Sequence, residues 1–83
     1  MIYEAEVYIA LKKTVADPQG QTIKHALGSL GFPEVKHVRT GKMLTLTVDA
    51  ANSEEAGQKL DSMCRKLLAN PIIEEFRFSV KEA

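Results

Sequence analysis

Apolar and polar positions alternate from Ile2 to Lys12, with Tyr3, Ala5, Val7, Ile9 and Leu11 on one side and Ile2, Glu4, Glu6, Tyr8, Ala10 and Lys12 on the other. A period of two belongs to a strand with one buried face. Asp17-Pro18 then marks a helix start, because the aspartate can accept free backbone N–H groups and proline at the first helical position loses nothing by lacking one. Ile23, Ala26, Leu27 and Leu30 follow at spacings of three and four, and Gly31 supplies the left-handed residue that ends a helix. A first helix is expected over residues 18–30.

The β-branched stretch 35–40, a turn at Gly41-Lys42 and the alternating stretch 43–49 predict a hairpin. In its second strand Leu44, Leu46 and Val48 share the core side, while Thr45, Thr47 and Asp49 point away. In its first, Val35 and Val38 stand three apart, which predicts a bulge. Asn52 followed by Glu55 has the logic of a capping box, and Ala56, Leu60, Met63, Cys64 and Leu67 then trace an apolar stripe that Asn70-Pro71 stops. Ile72, Glu74, Phe76, Phe78 and Val80 alternate with Ile73, Glu75, Arg77 and Ser79, a last strand.

The order β-α-β-β-α-β predicts one α+β domain over residues 1–83. Its expected form is a ferredoxin-like, mainly antiparallel four-stranded sheet with two helices on one face, since each helix has a single stripe to bury. The other sheet face would carry Ile2, Tyr8, Met43 and Ile73 among charges and threonines, too apolar for a fully wetted surface. That face, or a strand edge, is therefore expected to meet another subunit.

Size sharpens this expectation. A folded chain of 9.2 kDa exposes roughly 4,900 Å² of about 13,300 Å² in the extended chain, a small burial for a lone monomer. One cysteine excludes an intrachain disulfide, and His25, His37 and Cys64 offer no paired spacing for structural zinc. Self-association is the remaining support. Eleven basic and eleven acidic residues give zero formal charge, which disfavours nucleic acid and anionic membranes as partners. No apolar run approaches the about 20 residues of a spanning helix, and no leader pattern opens the chain, so it is expected to be cytoplasmic.

Candidate chemistry is sparse. Cys64 falls within an apolar stripe and reads as a packed thiol rather than a nucleophile. Glu54-Glu55 suit a helix start, and Glu74-Glu75 point to opposite faces of a strand. An RNA-binding version of this topology would need aromatic residues on the central strand, where Met43-Leu44-Thr45-Leu46-Thr47 stands. No Cys-x-x-Cys or glycine-rich phosphate loop is present. No catalytic, cofactor or metal residue is expected. Three polar clusters remain at element junctions: Asp17, Gln19 and Gly20 after Lys12-Lys13; Arg39 and Lys42 around Gly41; and Asn70 before Pro71. A lysine and an arginine beside a turn can bind carboxylate or phosphate, or pair across an interface.

The runs Asp17-Pro18-Gln19-Gly20 with Leu30-Gly31-Phe32, Val38-Arg39-Thr40-Gly41-Lys42 and Leu68-Ala69-Asn70-Pro71-Ile72-Ile73-Glu74, in this order and spacing, resemble PurS, the small-subunit family of phosphoribosylformylglycinamidine synthase. The resemblance spans essentially the whole chain; Thr14-Val15-Ala16 departs from the glycine-containing stretch of many members. It implies a non-catalytic subunit of purine biosynthesis that joins a glutaminase subunit to a synthetase subunit and supports ammonia transfer to formylglycinamide ribonucleotide. ATP and magnesium would be used on the synthetase, and homodimers or higher oligomers are implied. Asp17, Gln19, Gly20, Arg39, Lys42 and Asn70 would then serve subunit contacts. The competing class is a dimeric small-molecule-sensing domain of the same topology, for which Gly20 is the one loop glycine available.

Overall fold

The computed structural model describes residues 1–83. Strand β1 (Ile2–Leu11) leads through a loop to helix α1 (Pro18–Ser29), an extended return, strand β2 (Gly41–Asp49), helix α2 (Ser53–Met63), a π-helical turn (Cys64–Leu68) and strand β3 (Glu74–Glu82). The sheet has three strands in the order β2-β1-β3, antiparallel at both seams.

The period-two pattern of β1 sets the core. Tyr3, Ala5, Val7 and Ile9 are buried, and they stand opposite Val48, Leu46, Leu44 and Lys42 of β2 and opposite Glu82, Val80, Phe78 and Phe76 of β3. Helix α2 and its π-helical turn lie on this face, where Leu60, Cys64 and Ala69 close over Ala5, Val7 and Ile9. Ala56 and Ala50 pack with Tyr3 at the other end. The capping box forms as its residues predict, with Asn52 Oδ1 accepting the Glu55 N–H at 2.8 Å and Glu55 reaching back to the Ala51 N–H.

The opposite face is wet and laced. The Arg77 guanidinium sits 4.2 Å from the Tyr8 ring centre, the Tyr8 hydroxyl donates to Glu6, and Lys81 lies 3.8 Å from Glu4.

The four-stranded expectation fails at residues 35–40, which form no strand. The β-branched residues there were expected to pair along β2, but their polar groups are taken by the start of α1. Thr40 bonds Asp17, Arg39 bonds the loop after β1, and the Val38 carbonyl lies where any Cβ on Gly20 would be, 2.4 Å away. The expected turn at Gly41-Lys42 is instead the start of β2, paired with Ala10 and Ile9. Ile72 and Ile73 belong to the turn before β3 rather than to the strand.

Helix α1 begins and ends as expected, with Asp17 at its start and Gly31 at φ +99° after its end. Its surroundings differ. Of its twelve residues only Gly20 is buried, and no strand of the chain packs substantially against it. Residues 12–40 thus form an arm that leaves one end of the sheet, and the molecule measures 51 × 27 × 14 Å.

Candidate functional site: the junction at the arm end of the sheet

The three polar clusters converge at one end of the sheet. Gln19, Thr40, Gly41, Lys42, Leu11 and Glu74 line a single open groove there.

Asp17 is its keystone and is 3% exposed. The carboxylate accepts the Gly20 N–H at 2.9 Å, the Thr40 N–H at 2.6 Å and the Thr40 hydroxyl at 2.9 Å. These backbone donors, first Thr40 and then Gly20, hold its pKa below the usual carboxylate range against the opposing effect of burial, and nearby Arg39 adds to the lowering. A carboxylate so bound serves as a fixed hinge pin rather than a proton carrier.

Arg39 donates to two carbonyls of the loop after β1, Lys12 at 2.9 Å and Val15 at 2.8 Å. It therefore clasps that loop to the return segment while its side chain stays at the surface. Lys42 is exposed on β2 opposite Ile9, and Gln19 is exposed in the first turn of α1. Asn70 organises the turn before β3: its side-chain oxygen accepts the Ile72 N–H at 3.1 Å, and its own N–H donates to Glu74 at 2.7 Å. The Lys12 N–H in turn donates to the Ile73 carbonyl at 2.8 Å, linking this turn to the loop after β1.

Thr40 and Glu74 were not singled out as site residues, although both hold the junction together. Thr40 lay inside a recognised cluster, and its partner Asp17 is 23 positions away, so only the tertiary structure reveals the pair. Glu74 could have been found by its spacing of four from Asn70. Cys64 is fully buried and its thiol pKa is pushed up by burial, as suits a core thiol. Glu55 is held below its ordinary range by Lys59, 3.1 Å away, which makes it part of a helix cap. No helix is long and apolar enough to cross a membrane.

The junction is polar and open, and apart from the Thr40 hydroxyl on Asp17 its side chains bond to backbone. Comparison with known proteins gives it a context. The family described as PurS: Phosphoribosylformylglycinamidine (FGAM) synthase matches residues 4–82. Phosphoribosylformylglycinamidine synthase subunit PurS of Methanocaldococcus jannaschii is 43% identical over 81 residues, covering 98% of each chain. The Bacillus subtilis subunit of that name is 42% identical, covering 98% of this chain and 95% of the relative. A chain in the solved structure of PurLQS from Thermotoga maritima is 31% identical with a TM-score of 0.89, covering 98% of this chain and 99% of its own. The protein whose Asp17 hinge and three-stranded sheet are described above belongs to the PurS family, the subunits of that name in the phosphoribosylformylglycinamidine synthase of purine biosynthesis.

Proposed function

We propose that the chain is the assembly subunit of the synthase, joining a glutaminase subunit to an ATP-dependent synthetase subunit and supporting passage of ammonia from glutamine to formylglycinamide ribonucleotide. The observation that carries this is its likeness, over 98% of its length, to a chain in PurLQS. ATP and magnesium are used on the synthetase, and this chain works in the cytoplasm as a homodimer or higher oligomer. A small-molecule sensor of related topology is not favoured, because the relatives matched along the whole chain carry the name of the synthase subunit.

The residues proposed to meet other subunits are those around the groove. Gln19 and Lys42 are exposed there, Arg39 is exposed while it clasps the loop after β1, and Asn70 shapes the turn before β3. Asp17 and Gly20 act one step back by setting where α1 leaves the sheet. Sedimentation of the cognate glutaminase and synthetase with and without this chain tests the role. A complex of both that forms only in its presence is expected; an equally stable complex in its absence would refute it.

A further inference from the structure

The chain is neutral as a whole but not in its parts. The arm, residues 12–40, carries five basic side chains against two acidic ones, and the rest of the chain carries six against nine. The ion pairs, the Met1 amino group with Asp49, Lys59 with Glu55, Arg65 with Asp61 and Lys81 with Glu4, all lie outside the arm. Within it, Asp17 is engaged by Gly20 and Thr40, and Arg39 by two carbonyls. Lys24 and Lys36 are exposed and have no carboxylate partner, and Glu34 is the only other acid nearby in sequence. The molecule is 51 Å long and a charge is screened beyond about 8 Å at physiological salt, so the arm presents itself as a basic surface.

That surface has a shape. A groove of about 500 Å³ runs between α1 and the segment that returns from it, lined by Gln21, Lys24, His25, Gly28, Phe32 and Val35 among others. Gln21, Lys24, His25 and Gly28 recur at spacings of three and four, which puts them on a different side of α1 from the Ile23–Leu30 stripe. The groove therefore stays open whatever covers that stripe. Gly28 has no reason within its own chain to be glycine. A Cβ there would meet nothing within 4 Å, whereas Gly20 and Gly41 are pressed by carbonyl oxygens and Gly31 has a positive φ. Glycine weakens a helix relative to alanine, so what it supplies at position 28 is room. Phe32, 49% exposed, gives the groove an apolar wall.

We propose that this groove is the docking site for an acidic segment of one of the two subunits that the chain joins, with an apolar side chain of that segment seated at Gly28 and Phe32. Its carboxylates meet Lys24, Lys36 and the ring of His25, which offers an N–H donor in either charge state. This deepens the bridging role and rests on it. It also gives the chain a second contact surface, apart from the junction groove at Gln19 and Lys42, as a bridge between two subunits needs. The root of the arm is tied by Asp17, Arg39 and Thr40, so the groove is presented ready-formed. Nucleic acid fits less well, because the nine acidic residues on the rest of the chain would repel it.

The test titrates the full chain, isotopically labelled, with the cognate glutaminase and, separately, with the cognate synthetase, at low and at high salt. With one of them, NMR signals of Gln21, Lys24, His25, Gly28 and Phe32 are expected to change, and calorimetry should show an affinity that falls as salt rises. Lys24→Glu should weaken that binding roughly tenfold or more. Gly28→Leu should weaken it as much while its melting temperature is no lower than that of the native chain, since the new side chain fills the groove without a clash. Native affinity of both variants for both subunits would overturn the docking site and leave the bridging role standing. The same signals changing on concentration of the chain alone, or on addition of a random-sequence oligonucleotide but of neither subunit, would assign the groove to another occupant and overturn it too. A native chain that binds neither subunit would remove the bridging role and the docking site together.

Discussion

Thr40 donates both its backbone N–H, at 2.6 Å, and its hydroxyl, at 2.9 Å, to the carboxylate of Asp17. The pair ties the residue that caps α1 to the residue just before β2, so the one charged side chain buried in the chain decides where the arm departs. A carboxylate with three donors in a shielded place keeps its charge readily. The root of the arm therefore depends on ionised Asp17.

Replacing Asp17 with alanine removes the cap of α1 and leaves the Thr40 N–H without its acceptor. The melting temperature is expected to fall by roughly 5–10 °C, read by thermal circular dichroism. An unchanged melting temperature would show that the junction is not tied through this side chain.

The pH dependence follows from the lowered pKa of the same group. A carboxyl whose folded value lies below its unfolded value stabilises the fold fully above the unfolded value, about 3.9, and loses that contribution as pH falls through the folded one. The melting temperature of the native chain should thus drop below about pH 4. That of Asp17→Asn should start lower at neutral pH and converge with it in acid. Parallel curves would contradict the assignment.

Gly20→Ala places a methyl 2.4 Å from the Val38 carbonyl oxygen, a backbone atom that cannot swing aside. A loss of about 1–3 kcal/mol in urea unfolding is expected, although alanine is the better helix former. A gain in stability would mean that the return segment is not seated against α1.

Lys42 and Arg39 separate by their contacts. Lys42→Glu should leave the melting temperature within about 2 °C, since an exposed lysine outside any ion pair contributes little to stability. It should still lower glutamine-dependent synthase turnover more than ammonia-dependent turnover. Arg39→Glu should lower both stability and glutamine-dependent turnover, because it also releases the Lys12 and Val15 carbonyls. Equal activities in native and Lys42→Glu chains would remove Lys42 from the subunit contact.

Local rules carried most of the elements. Alternation located β1 and its buried side, Asp17-Pro18 and Gly31 bounded α1, and Asn52 with Glu55 opened α2. The same rules misplaced residues 35–40, because a β-branched stretch states only that it can extend. Whether it pairs with β2 or lies along α1 is settled by Asp17 and by the missing Cβ of Gly20, both far away in sequence. The apolar stripe of α1 was legible too, but not that its own sheet leaves it uncovered. Of the junction, Asp17, Gln19, Arg39, Lys42 and Asn70 stood out as polar residues at element ends. Their meeting at one end of the sheet, with Thr40 and Glu74, follows from strand register, which no single stretch of chain contains.

The most direct test of the bridging role is synthase activity of the cognate glutaminase and synthetase subunits, with and without this chain, fed by glutamine or by ammonia. Glutamine-dependent formation of formylglycinamidine ribonucleotide is expected to require the chain, while ammonia-dependent formation survives without it. Equal glutamine-dependent rates in its presence and absence would contradict the account.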